Sequence, residues 1–292
     1  MCDATQYSCL ETCYLNLSGL WLETINQLSD EVPWRQVPAM AHLLGFSVSM
    51  ISLDILHIVH LGIARDVLGS ALKLLLLHKH YWPGRNVCSR MKAASLEMQA
   101  FAKQNGLFVE CRNLSLGRLQ WGTRKGAYPM LRVKGADVTV WLKFMCNKLS
   151  EKQCDDLDSC AAFSTCIWAM DRFLTITMNG GIFLTAEESD EIHQLGMLYL
   201  HTYIALAAES LEAGKLYWKV RPKLHLFWHL AHKAKHSKGR RNPHNDSNWM
   251  DEDFIKHMTQ LMSKTHNLTG NLRALERYLL GLPAKLAKTC KK

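Results

Sequence analysis

The sequence predicts a mainly α-helical protein, a helical domain with a short strand element. Three observations carry that expectation. The segment Ile51 to Leu77 is a long apolar run whose charges are confined to Asp54, Arg65, Asp66 and Lys73. From Lys134 onward, apolar residues recur at helical spacing almost without pause. Strong breakers gather at few places, chiefly Pro33, Pro38, Pro83-Gly84, the glycines at 117, 122 and 126, Asn179-Gly180-Gly181 and Gly239 to Pro243.

Taken in order, residues 1–45 read as irregular or short-helical, because Pro33 and Pro38 interrupt any helix. Phe46 to Leu53 alternates apolar with small polar residues, as a strand does. A helix is expected from Asp54 to about His80, with Asp54 at its start and Pro83-Gly84 after its end. Ser89 to Gln104 follows as a helix closed by Asn105-Gly106. Leu107 to Tyr128 reads as loop, with a strand at Leu107 to Cys111. Helices are then expected at 134–149, 154–178, 186–213, 222–236, 248–266 and 270–280.

With 292 residues, 48% of them hydrophobic, the chain has enough apolar surface to bury a core, and a charged fraction of 21% argues against disorder. The net charge of +9 is local. Ala213 to Asn245 carries nine Lys/Arg and no acid, and outside it 26 bases balance 26 acids. Such a segment fits a polyanionic partner or a solvated face. Ten cysteines in a chain this long do not form a disulfide framework. Cys2, Cys9 and Cys13, or Cys154, Cys160 and Cys166, lack paired C-x2-C spacing, so buried free thiols are expected instead. No secretory leader opens the chain and no run spans a membrane, so a nuclear or cytoplasmic protein is expected, not a secreted one. The abrupt, cysteine-rich start is expected to follow a missing upstream portion.

Ionisable groups mark the candidate sites. Asp54-Ile-Leu-His57-Ile-Val-His60-Leu-Gly62 sets an acid and histidines in apolar surroundings, where they must cap, pair or react. Asp54 is a metal-binding carboxylate or a helix N-cap with His57 closing the first turn. Around Trp249-Met-Asp251-Glu252-Asp253, the acids fit the first turn of a helix capped by Asn248, where the macrodipole favours negative charge. His225, His229, His232 and His236 stand at offsets 0, 4, 7 and 11, one stripe of a helix. An i, i+4 histidine pair has zinc-ligand spacing, but a site also needs partners from elsewhere, and a half-buried polar seam is the plainer reading. Lys219, Arg221, Lys223, Lys233, Lys235, Lys238, Arg240 and Arg241 are the candidate phosphate contacts, Arg221 and Lys223 foremost, with Tyr217, Trp218 and Trp228 for stacking. No phosphate-binding glycine loop, nucleophile elbow or metalloprotease motif is present, which removes nucleotide-binding enzymes and serine hydrolases from consideration.

Asp54-x-Leu56-His57 with Leu61-Gly62 resembles a motif of CACTA/Plavaka-type transposases. In the same order stand Cys2-Asp-Ala, Trp34-Arg35, Tyr128-Pro129 with Lys134-Gly-Ala, Arg221-Pro222-Lys223-x-His225, and the aromatic-plus-acid stretch at Trp249 and Glu252. Those transposases are similar to RNase H-like DDE/D recombinases. The resemblance therefore implies an incomplete RNase H-like core, residues 1–84, a helical insertion, 85–215, and a returning part, 216–292. It implies Asp54 as the second catalytic acid and Glu252 as the third, both holding Mg²⁺ or Mn²⁺ if the ancestral site is retained, with His57 supporting the acid. The family's first acid has no counterpart here, since Asp3 lies too near the start for a first strand. The expectation is a DNA-binding, transposase-derived protein with an incomplete phosphoryl-transfer site. Zinc and a small-molecule substrate are not expected, and a homo-oligomer is left open. The alternative is a non-catalytic helical module for nucleic acid or protein, its acids serving only as caps.

Overall fold

The computed structural model describes residues 36–46, 51–122, 126–151, 159–237, 239–266 and 269–289. The expectations for residues 1–35, for Cys154 and for Lys238 lie outside the described residues. Among the described residues the chain forms eight α-helices and no strand. A π-helical segment, Leu56–Ile63, runs directly into α1, Ala64–Leu77. There follow α2, Val87–Gln104; α3, Gly135–Glu151; α4, Cys160–Asn179; α5, Ala186–Glu212; and α6, Pro222–His236. The last two are α7, Trp249–Met262, and α8, Gly270–Thr289.

Local chemistry sets several of these boundaries. Asn86 caps α2, its side chain accepting from the Ser89 N–H while the Ser89 hydroxyl accepts from the Asn86 N–H. Thr185 and Glu188 make the same reciprocal pair at α5. Pro222 takes the first position of α6, where its missing N–H costs nothing. The turn after α4 is held by Asn242, whose amide donates to the carbonyls of Thr177, 2.8 Å, and Gly181, 3.0 Å.

Two expected strands are corrected. Leu107 to Cys111 forms no strand; its Glu110 and Cys111 N–H groups donate to the Asp137 carboxylate at 2.8 and 3.0 Å. The expected strand at 46–53 falls partly outside the described residues, and Ile51 to Leu53 form none. The first helix ends at Leu77 rather than His80, and α8 continues through Pro283 to Thr289. Proline removes one donor from a helix; it penalises continuation without forbidding it. Cys88, Cys111, Cys146 and Cys166 are free thiols, whereas Cys160 is disulfide-bonded, contrary to expectation.

The chain divides into two compact units at Asp246/Ser247, so the segment boundaries expected near residues 84 and 215 both fall inside the first. In that unit α4 packs along α5, α5 along α6, and α3 along α4. The π-helical segment lies against α1, α3 and α6. Its core includes Ile55, Leu68, Leu72, Trp82, Trp141, Phe163, Phe173, Tyr199, Tyr203 and Phe227, all nearly inaccessible. Burying an aliphatic or aromatic side chain of this kind contributes about 1.5–3 kcal/mol, so helix packing, more than local propensity, holds the unit together. In the second unit α7 packs on α8, with Phe254 edge-on to Tyr278.

Candidate functional site

The π-helical segment begins at the acid. Asp54 Oδ1 accepts the Leu56 N–H at 2.8 Å, and the Asp54 carbonyl accepts the Ile58 N–H at 3.0 Å. Its other oxygen pairs with His57 Nδ1. Asp54 therefore does what an N-cap does, and His57 closes the first turn over it. The carboxylate is largely sheltered, while His57 is 44% exposed.

Arg221-Pro222-Lys223, 166 residues downstream, arrives at the same corner. Lys223 Nζ donates to the His57 carbonyl at 2.5 Å. Gly62, whose backbone leaves helical values, permits this: a Cβ there would meet Lys223 Cδ at 2.7 Å and the His57 carbonyl at 2.9 Å. Arg221 Nη2 pairs with the buried Asp66 carboxylate at 2.6 Å. Burial pushes the Asp66 carboxyl up to about 7, with Arg221, Lys219 and Lys223 pulling it back less strongly. Burial also lowers the Lys223 ammonium, and Arg221 adds to that. Buried His60 is lowered to about 4, chiefly by burial, although a hydrogen bond with the Ile55 backbone and the charge of Asp54 oppose the shift. It is a neutral imidazole at physiological pH.

The remaining expected contacts sort by exposure. Lys219, Lys233 and Arg240 are exposed. Lys235 pairs with Asp190 at 3.1 Å and Arg241 with Asp246 at 2.6 Å. Arg221 and Lys223, foremost in the sequence reading, turn inward to Asp66 and the His57 carbonyl. Two of the three stacking candidates are corrected: Trp218 and Trp228 are 3% exposed, Trp218 against Phe163 and Trp228 against His232. They are core aromatics, because their neighbours on α4 and α6 supply the apolar faces that cover them.

The histidine stripe divides into two pairs. His225 is buried, and its Nε2 lies 3.0 Å from His229 Nε2. Burial and His225 together drive His229 down to about 3. His232 and His236 stand 4.3 Å apart by ring centre, and His193 of α5 joins them. Glu252 lies in the second unit, in the exposed first turn of α7, where its N–H donates to the Asn248 carbonyl at 2.9 Å. Asn248 occupies the N-cap position without a side-chain cap bond.

Several site residues were not singled out from sequence. His193 carries no spacing signal of its own, since only the packing of α5 on α6 brings it to the stripe. Asp66, 155 residues from Arg221, is equally silent. A second basic cluster, Arg65, Arg118, Arg132 and Lys134, lines an open cavity of about 470 Å³ together with Glu110 and Asp137. Its members are scattered in the chain, so no charge run announces it. Compared with known proteins, the chain matches no family, no curated protein and no solved structure.

Proposed function

We propose that the chain is a transposase-derived DNA-binding protein whose ancestral phosphoryl-transfer site is incomplete and inactive in this chain. One observation carries the reading: the two most specific motifs of the resemblance, Asp54-x-Leu-His57 and Pro222-Lys223-x-His225, meet in space through the Lys223–His57 hydrogen bond. Residues that serve one chemical centre converge from distant parts of a chain, and the contact between these two motifs supports that reading. In this chain the Asp54 oxygens serve the Leu56 N–H and His57, so its lone pairs hold a helix start. Two-metal transfer instead needs several carboxylates converging on ions about 3.5–4 Å apart.

DNA contact falls to the exposed cations Lys219, Lys233 and Arg240, which neutralise phosphates without reading base edges. If the ancestral site were complete, Mg²⁺ or Mn²⁺ held by its acids, Asp54 among them, would activate water or a 3′-hydroxyl for attack on phosphorus. The test uses a fluorescent DNA duplex. The chain and its Asp54→Asn variant bind equally well, and Lys233→Glu/Arg240→Glu binds at least about tenfold more weakly, as expected for the loss of two phosphate contacts. Neither Mg²⁺ nor Mn²⁺ supports nicking. Absence of DNA binding overturns the proposal, as does metal-dependent nicking that Asp54→Ala abolishes.

A further inference from the structure

Helices α5 and α6 meet along a seam whose spacing is set by small residues. A Cβ on Gly196 of α5 would stand 2.5 Å from the Ala231 Cβ of α6, so only glycine allows the two axes to approach this closely. The same seam continues toward the start of α5, where the Ser189 hydroxyl donates to the Ala234 carbonyl at 2.9 Å and Lys235 pairs with Asp190 at 3.1 Å. Between these contacts stand His193 from α5 and His232 and His236 from α6. Ring centres lie 6.3 Å apart for His193 and His232, and 5.6 Å apart for His193 and His236. One ring nitrogen from each histidine lies within 4.8 Å of the other two.

We propose that His193, His232 and His236 form a three-histidine site for a divalent ion of the zinc class, which clips α5 to α6. The i, i+4 pair on α6 supplies two imidazoles on one helix face, and α5 supplies the third ligand that the α6 pair alone lacks. Tetrahedral zinc with nitrogens at 2.0–2.1 Å needs nitrogen–nitrogen separations of about 3.4 Å. On this proposal the imidazole rings rotate to close the remaining gap. The Trp228 ring lies nearly parallel to His232 at 4.5 Å and limits its swing.

Burial lowers His193, and burial, with His236 and His193 nearby, lowers His232 to about 4. The local charge is mixed. Lys233 and Lys235 oppose a cation from α6, while Asp190 favours one from α5 and already engages Lys235. Three imidazoles suit zinc, nickel, copper or cobalt better than magnesium or calcium, which prefer oxygen. A fourth position stays open to water. The site is separate from the His225/His229 pair and does not depend on the transposase reading.

The test is a Co²⁺ titration of the full chain, followed by Zn²⁺ competition and by thermal unfolding with and without Zn²⁺. The expected result is one ion per chain, visible d–d bands without a thiolate charge-transfer band, and a raised unfolding temperature. His193→Gln and the exposed variant His236→Gln each weaken binding at least about tenfold. His201→Gln, an exposed change elsewhere on α5, leaves it intact. Far-ultraviolet circular dichroism checks that every variant is folded. The proposal is overturned if the chain takes up neither ion at micromolar concentration, if His193→Gln and His236→Gln bind as well as the parent, or if the spectrum shows thiolate ligation.

Discussion

At the scale of single residues, the polar groups around the π-helical segment behave as structural partners. If Asp54 is a cap, Asp54→Ala lowers stability by about 1 kcal/mol while Asp54→Asn, an equally good cap, leaves it nearly unchanged. Urea midpoints of the two variants decide this. Removing the Arg221 side chain leaves the buried Asp66 carboxyl without that partner; the acid then takes up a proton instead of staying charged, so Arg221→Ala costs about 1–3 kcal/mol by the same measurement. His60 gives a pH signature. Its folded pKa, about 4, lies below the unfolded 6.5, so below pH 6.5 the unfolded chain binds more protons and stability falls as the pH drops toward 4. Asp66 acts in the opposite direction: raised to about 7, its carboxyl holds its proton in the fold while the unfolded chain releases it near 4, so its contribution falls as pH rises between those values. The two slopes offset, and the His60 contribution is read as the difference between the parent chain and His60→Gln. That difference, parent minus variant, falls by about 1.4 kcal/mol per pH unit on descending from 6.5 to 4. The Asp54 cap and the His57 closure were legible because both partners lie within one turn. Asp66 and Arg221 were not, because nothing in their local sequence announces a partner 155 residues away.

At the scale of elements, punctuation carried most of the information. The boundaries of α6 were read without error because Pro222 opens it and Gly239 follows it closely. The starts of α2 and α5 were placed within two residues, although the capping pairs that fix them were not singled out. What periodicity could not deliver was the π-helical start of the first long helix. Leu56–Ile63 has the apolar composition of any buried helix, and the wider turn depends on Gly62 leaving helical angles where Lys223 crosses. π-helical turns are uncommon and are frequent at functional sites, in keeping with the ancestry proposed for this motif. Another close approach yields a sharper prediction. Gly69 of α1 faces the Met130 backbone, and a Cβ there would lie 2.4 Å from the Met130 Cα. Gly69→Ala therefore costs about 1–3 kcal/mol in thermal or urea unfolding. Gly117→Ala, with no heavy atom within 4 Å, is close to neutral. The strand expected at Leu107 to Cys111 does not form, because local sequence does not report what pairs with a backbone; here the Asp137 carboxylate takes the Glu110 and Cys111 N–H groups.

At the scale of the whole molecule, the mainly α class was plain from the sequence, since long runs of helical spacing leave little room for sheet. The division at Asp246/Ser247 was not, because His244-Asn-Asp-Ser247 differs little in composition from the loops inside the first unit. Charge was legible as a local excess, but its use was not. Folding turns Arg221 and Lys223 inward, leaves Lys219, Lys233 and Arg240 outside, and gathers Arg65, Arg118, Arg132 and Lys134 from separate segments. A chain that binds DNA through such exposed cations does so by releasing condensed counterions, and its affinity must fall steeply with salt. The most direct test is the slope of log affinity against log salt for a DNA duplex, measured for the chain and for Lys233→Glu/Arg240→Glu. The account predicts a steep negative slope for the parent and one shallower by about 2 for the variant. Salt-independent binding, or identical slopes for both proteins, would contradict it.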